Sequence, residues 1–404
     1  MQRIITTDLM KTDDGQKIID AIGETRAMAG QTCGITYGIP ASKEDAELGG
    51  FLLRSDICDE LGITEKYGLT KDNDVYDGHS HTWEEYEDIL ATVHEAYPNM
   101  DGLYMIQTDD LKHYLHEDYL IDQMGGLDTA ADSNTTTVCN LFETESYLNY
   151  AKMINRWYQN GYINEDAAVE TTAVAQAVQA GNVFSYVSDI KPGFCVEKRN
   201  SDTWGGYDFY CFFVGDGFIC STDTDFFNTG IATNSEDPEM AFKFLSAMYS
   251  DPEIMTYWLY GEENVDYAYN DDGTIYWPEG VDGSNYKYHL PQGWYMGNQF
   301  IAPIWNDGTL SADYWDSLDT FNSWCTLSPA YGFLCDNRDY TSQITALTNV
   351  YEKYRAEINT GTTTADELES RIEEMNQELY AAGLQDIIDA KQAQLDEWLA
   401  QQEQ

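Results

Sequence analysis

The run TGIATNSEDPEMAFKFLSAMYSDPEIMTYWLYG, Thr229 to Gly261, constrains the fold more than any other stretch. A short extended segment, Thr229 to Thr233, leads into two helix starts built alike. Asp237-Pro238-Glu239 and Asp251-Pro252-Glu253 each set an acidic cap before a proline at the first helical position. The cap's oxygen accepts orphan N–H groups of the first turn, and proline's fixed φ suits that place. Ala241, Phe244, Leu245 and Met248 then recur at helical spacing and predict one apolar stripe. Ile254, Met255, Trp258 and Leu259 do the same in the second helix, and Gly261 ends it. A strand feeding a tight helix pair, late in a long mixed chain, reads as a chain returning to a lobe it left earlier.

Around this unit the pattern alternates. Residues 1–30 read as weakly helical, GITYGIP (34–40) as a strand stopped by proline, and Phe51 to Leu53 as a short strand before a helix over 54–61. Thr82 and Glu85 form a capping box ahead of the stripe Tyr86, Ile89, Leu90, Val93 and Tyr97. Strands are expected at 102–106 and 183–187, and helices at 145–160 and 172–180. Residues 207–214 and 218–220 read as a β pair turning through Gly215-Asp216-Gly217. YAYNDDGTIYW (267–277) reads as a hairpin whose Asp272-Gly273 supplies the positive-φ turn. Residues 278–336 read as mostly loop, and three helices follow at 338–358, 364–382 and 384–399. The second of these has a capping box at Thr364 and Glu367 and the stripe Leu368, Ile372, Met375 and Leu379. Strands alternating with helices predict α/β lobes.

With 404 residues the chain is long enough for two cored lobes. Acids outnumber bases 71 to 21, for a formal charge of −50 spread along the whole chain. Such a charge repels nucleic acid and anionic membrane surfaces, so neither is expected as a partner. No run reaches transmembrane length, and Met1 leads into polar sequence without a signal-peptide pattern. The eight cysteines (33, 58, 139, 195, 211, 220, 325 and 335) lack metal-ligand spacing. Buried free thiols are the default reading, for Cys211 in YDFYCFFVG among others, with one or two disulfides left open.

A set of motifs in fixed order resembles an extracellular solute-binding protein of an ABC importer. They are YGIP (37–40), LRSDICDELGI (53–63), TWEEYEDIL (82–90), RWYQNGYINEDAA (156–168), the Thr229 unit, YGEENVDY (260–267), WYMGNQF (294–300), SPAYGF (328–333) and QLDEW (394–398). The resemblance is to the carbohydrate-associated lipoprotein group of Firmicutes with a C-terminal domain of unknown function. It implies an α/β, type II periplasmic-binding-protein-like fold of two lobes and a hinge, with YGIP and Thr229–Thr233 as crossing strands. On that reading 1–38 is the remnant of an incomplete N-terminal lobe and 39–228 a C-terminal α/β lobe. Residues 229–305 return to the N-terminal lobe, and 306–404 form an aromatic loop and C-terminal helices. Family members carry a signal peptide, a lipid-attachment cysteine and further residues ahead of the first crossing. The expectation is therefore an extracellular protein anchored at the membrane in its full-length form.

Sugars present apolar C–H faces and hydroxyl edges, and are held by flat aromatics and by amides or carboxylates. With 30 Tyr and 10 Trp the chain has many candidates. Trp294, Asn298, Gln299, Trp305, Trp324 and Tyr331 lead, Trp204 and Tyr207 follow, and Tyr37 joins them through its place on a crossing strand. Trp83 and Trp157 lie in periodic stripes and are assigned to helix packing. Asp72, Asp74 and Asp77 resemble a calcium loop but lack its full pattern, so a solvated loop is the reading. Histidines 79, 81, 94, 113 and 116 supply no placed third ligand, so no metal and no cofactor are expected. No HExxH, GxSxG or phosphate-cradling loop is present.

The expected function is capture of a sugar or oligosaccharide by a monomer that delivers it to the ABC permease membrane subunits, without covalent chemistry. The alternatives are a glycoside hydrolase or lyase with a carboxylate pair in an aromatic cleft, and an adhesin.

Overall fold

The computed structural model describes residues 6–32, 35–46, 48–69, 80–111, 115–193, 202–223, 227–290, 293–306 and 310–402. It is mixed α/β and divides into two units. Unit one is Met1–Asp45, Ser221–Asn322 and Ala330–Asp336; unit two is Ala46–Cys220, Ser323–Pro329 and Asn337–Gln404. The chain thus changes unit after Asp45, Cys220, Asn322, Pro329 and Asp336. Among the described residues no helix is long and apolar enough to cross a membrane.

Unit one is built on the Thr229 unit. Helices Pro238–Ser250 and Pro252–Tyr260 start as their sequences dictate. Asp237 accepts the Met240 N–H, Asp251 accepts those of Glu253 and Ile254, and proline opens each helix. Helix Asp13–Ile22 packs on the first of them, where Ser246 Oγ donates to the Asp14 carbonyl at 2.8 Å. Ile18, Ala27, Ile39, Ile231, Phe242, Leu245 and Tyr249 close one core. Met248, Met255, Leu259, Tyr260, Tyr267 and Ile275 close a second.

The predicted stripe of the first helix is corrected by one position. Phe242, Leu245, Ser246, Met248 and Tyr249 are buried, while Phe244 is 44 % exposed. Phe242, Leu245 and Tyr249 enter the first core and Met248 the second, so the buried face is centred away from Phe244. Phe244 is left to pack edge-on against Trp258.

The segment read as a strand at 34–40 is shorter. Ile35–Thr36 pairs with Gln31–Thr32, and Ile39 alone bridges Thr229, exchanging two backbone hydrogen bonds of 3.0 and 2.9 Å. Gly38 permits this approach, because a Cβ there would meet the Asn228 Cβ at 2.9 Å. Tyr249 Oη donates to the carbonyls of Ile39 and Pro40 and fixes the strand from beneath. The hairpin is as expected: Ala268–Tyr269 pairs with Ile275–Tyr276, and Gly273 sits at φ 86°.

Unit two holds a four-stranded sheet in the order Asp101–Tyr104, Val183–Ile190, Leu48–Arg54, Phe209–Phe213. Its first pair is parallel and the others antiparallel. Helix Trp83–Ala96 begins with the expected capping box and lays Tyr86 flat on Phe51, centroids 3.5 Å apart. Tyr86 Oη bonds Ser185 Oγ at 2.6 Å, and the buried Trp157 ring stands against Tyr86.

The expected β pair 207–220 is not a pair. Phe209–Phe213 joins Leu48–Arg54, and Phe218–Ile219 runs parallel to Thr326–Leu327. The longer apolar strand at 48–54 offers more partners than the two residues beyond Gly217, so the local pairing loses. Within the loop expected over 278–336 the structure places an α-helix, Tyr314–Trp324, in which Leu318 and Phe321 are buried.

Helices Thr341–Asn359, Leu368–Ala381 and Leu384–Gln402 complete unit two. The predicted stripe of the second is buried in full. Its predicted capping box is absent: the helix starts four residues after Thr364, whose hydroxyl binds the Glu367 carboxylate instead of a backbone N–H. Lys391 is buried and donates to the carbonyls of Leu120 and Gly125, each at 2.9 Å, and to Asp122 at 2.6 Å. It thereby braces a segment in which Leu120, Ile121 and Gln123 all have positive φ, a costly state for side-chain-bearing residues.

The cysteine default is corrected at one site: Cys211 is disulfide-bonded. Cys58 and Cys139 are free thiols, and burial raises both pKa values, that of Cys139 to about 11.

Candidate functional site

The expected ligand-binding residues divide between the units. Tyr37, Trp294, Asn298, Gln299, Trp305 and Tyr331 belong to unit one, and Trp204, Tyr207 and Trp324 to unit two.

In unit one the structure brings Asn298, Gln299 and Tyr331 to a buried polar network on Ser42–Asp45. Ser42 and Asn298 pair as a parallel bridge. Asn298 donates to the Tyr249 carbonyl at 3.3 Å and caps the turn Gln299–Ile301 through the Phe300 N–H. Gln299 Nε2 donates to Glu44 at 2.9 Å, and Lys43 stands 3.6 Å from the same carboxylate. Tyr331 Oη donates to Asp45 at 3.1 Å; Arg26 pairs with that carboxylate and also donates to the Ala41 carbonyl. The Asp45 N–H donates to Asn322. Burial pushes the Asp45 carboxyl above its ordinary range, against the pull of Arg26, Tyr331 and Lys43. Arg26, Lys43, Glu44 and Asp45 were not singled out in the sequence. The available signal was the charged run KED set between IPA and the apolar strand at 48–54.

The remaining unit-one residues sit apart. Trp294 is 39 % exposed and meets Phe227 and Tyr295 edge-on. Trp305 lies in a knot with Trp277, His289 and Tyr260, at centroid distances of 4.6, 4.0 and 5.5 Å. Burial lowers the His289 pKa there. Tyr37 is half-buried, and its N–H donates to the Gly30 carbonyl at 2.9 Å.

In unit two, Trp204 stacks flat on Tyr186, centroids 5.0 Å apart, and Tyr207 takes the Arg54 guanidinium on its ring at 3.7 Å. Arg54 is held in turn by Asp56, whose carboxyl it draws below the ordinary range. Trp324 ends its helix, 40 % exposed. Trp83 and Trp157 pack in the helix layer, as expected.

Among the described residues no group of three or more His, Cys, Asp or Glu is placed to hold a metal ion. His81 stacks on Phe212 and pairs with Glu85, and His116 stacks on Phe218. Asp72, Asp74, Asp77, His79 and His113 lie outside the described residues.

This architecture matches solved structures over nearly the whole chain. The N-glycan transport solute-binding protein NgtS of Streptococcus pneumoniae superposes with a TM-score of 0.75 at 21% identity, covering 99% of this chain and 83% of that one. The fold is that of a two-domain solute-binding protein. The same S. pneumoniae protein in complex with Man5GlcNAc gives 0.68 at 20% identity, over 99% of this chain and 83% of that one. The solute-binding fold also extends to S. pneumoniae FusA in complex with kestose, at 0.57 and 15% identity, over 99% and 84% of the two chains. In sequence, the carbohydrate ABC transporter substrate-binding protein of S. pneumoniae serotype 4 (strain ATCC BAA-334 / TIGR4) is 23% identical over 418 residues, 97% of this chain and 75% of that protein. Residues 329–400 match a domain of unknown function, DUF3502. The match takes in helices Thr341–Asn359 and Leu368–Ala381 and most of Leu384–Gln402, with Lys391 in it.

Proposed function

We propose that this chain is the substrate-binding protein of an ABC importer, that it captures an oligosaccharide, and that it hands the sugar to the permease subunits. The observation that carries the reading is the likeness to NgtS along 99% of the chain, which includes that protein's complexes with Man1GlcNAc and Man5GlcNAc. Related proteins of this fold are named for binding, not for catalysis. In this reading the protein acts outside the cell as a monomer anchored at the membrane.

The mechanism is closure about a hinge. Ligand contacts that exist only when both units engage the sugar shift the population toward the closed state. Tyr37, Trp204, Tyr207, Trp294, Trp305, Trp324 and Tyr331 supply ring faces. Asn298 and Gln299 are buried with their amides engaged inside unit one, so in this reading they shape the site from behind. A micromolar dissociation constant corresponds to about −8 kcal/mol.

Man5GlcNAc is the first probe. A ligand at about a hundred times its dissociation constant stabilises the folded state by about 2.7 kcal/mol, which a thermal melt detects. The reading expects that stabilisation and intact sugar on chromatography. Release of reducing ends would favour the hydrolase reading; neither effect, across a panel of neutral oligosaccharides, would favour the adhesin.

A further inference from the structure

We propose that unit one carries a second binding site, for a substituted ammonium ion, between helix Pro252–Tyr260 and the 267–276 hairpin. The cavity there has a volume of about 680 Å³, and its lining includes Tyr257, Tyr267, Tyr269, Glu253, Glu262 and Glu263. The tyrosines share its walls with apolar residues, Ile301, Ala302 and Pro303. Tyr267 and Tyr269 stand 5.6 Å apart at 81°, so two ring planes meet almost at a right angle. Tyr257 and Tyr269 are 66% and 51% exposed, an unusual amount of open aromatic surface beside a pocket. Exposed tyrosine faces such as those of Tyr257 and Tyr269 attract a cation through their quadrupoles.

The charge around the rings selects the same ligand. None of the lining residues is basic. Among the described residues none of the three glutamates is in an ion pair; Glu263 accepts only a long bond from Asn264. Three carboxylates without an ion-pair partner favour a cationic ligand over a neutral one, and an anionic ligand would be repelled. A bare metal ion is disfavoured too, since no metal-holding group of side chains occurs among the described residues. The ligand that meets all of these constraints is an organic cation with apolar substituents on nitrogen. Its size fits a cavity in the range typical of small-molecule sites, about 300–1,000 Å³.

Calorimetric titration of the full chain with choline tests this, with 3,3-dimethylbutan-1-ol as the neutral isostere. Choline is expected to bind saturably and the isostere at least about tenfold more weakly. Tyr257→Ala should weaken choline binding by about tenfold and Tyr257→Phe should restore it; the exposed position protects the fold. Tyr269→Ala and Glu262→Gln/Glu263→Gln are expected to act in the same direction. No saturable binding, equal binding of the isostere, or choline affinity unchanged in the tyrosine variants overturns the proposal. Oligosaccharide-induced stabilisation, measured in the same variants, is expected to persist, so loss of one binding activity is distinguishable from loss of the other.

Discussion

Tyr331 donates its hydroxyl to the Asp45 carboxylate at 3.1 Å, across 286 positions of sequence. Asp45 is the last residue of unit one before the first change of unit, and Tyr331 follows the return after Pro329. Asn322, just before another change, accepts the Asp45 N–H. One carboxylate residue therefore ties three connecting segments to the body of unit one, with Arg26 as its counter-ion.

Removing that counter-ion leaves a buried carboxylate unpaired. Arg26→Ala is expected to destabilise unit one by about 3 kcal/mol, read as a lower denaturant midpoint. Tyr331→Phe removes one hydrogen bond and should cost about 1 kcal/mol. Equal, negligible effects of the two changes would contradict the role given to Asp45.

Lys391 offers a test of the C-terminal helices. Lys391→Met keeps the stem but withdraws three donated bonds from Leu120, Gly125 and Asp122. A loss of about 3 kcal/mol is expected. Hydrogen exchange should show the positive-φ segment 120–123 opening first, because Lys391 is what restrains it.

Asp101 sets a pH dependence in unit two. Burial, then the charges of Asp166 and Glu170, raise its pKa from 3.8 to about 6. A carboxyl raised in the folded state favours folding below its ordinary pKa, and that contribution is lost as pH rises through the higher value. Asp101→Asn should therefore stabilise the protein at pH 7 by about 1 kcal/mol, allowing for solvent screening, and leave stability unchanged below the ordinary carboxylate range. Melts at the two pH values check the sign.

Much of this architecture is legible in the sequence where the signal is local. The Asp-Pro-Glu helix starts, the Thr82 capping box and the Asp272-Gly273 turn each bond within a few residues, and each is found where it was read. What was misread depends on distant partners. Phe218–Ile219 pairs with Thr326–Leu327, a choice no local pattern encodes. Phe244 points out because the first core takes Phe242, Leu245 and Tyr249 from the far side of its helix. The network around Asp45 was missed for the same reason: a short charged run reads as solvated until Arg26, Gln299 and Tyr331 are brought to it. Among the aromatic candidates, periodicity does not tell a ring packed under Arg54, as Tyr207 is, from one open to solvent, as Trp294 is.

The most direct test of two-sided capture is small-angle X-ray scattering of the full chain, with and without the oligosaccharide that raises its melting temperature most. Closure about a hinge predicts a smaller radius of gyration at saturation and recovery of the larger value on removing the sugar. Saturable sugar binding with an unchanged radius would contradict it.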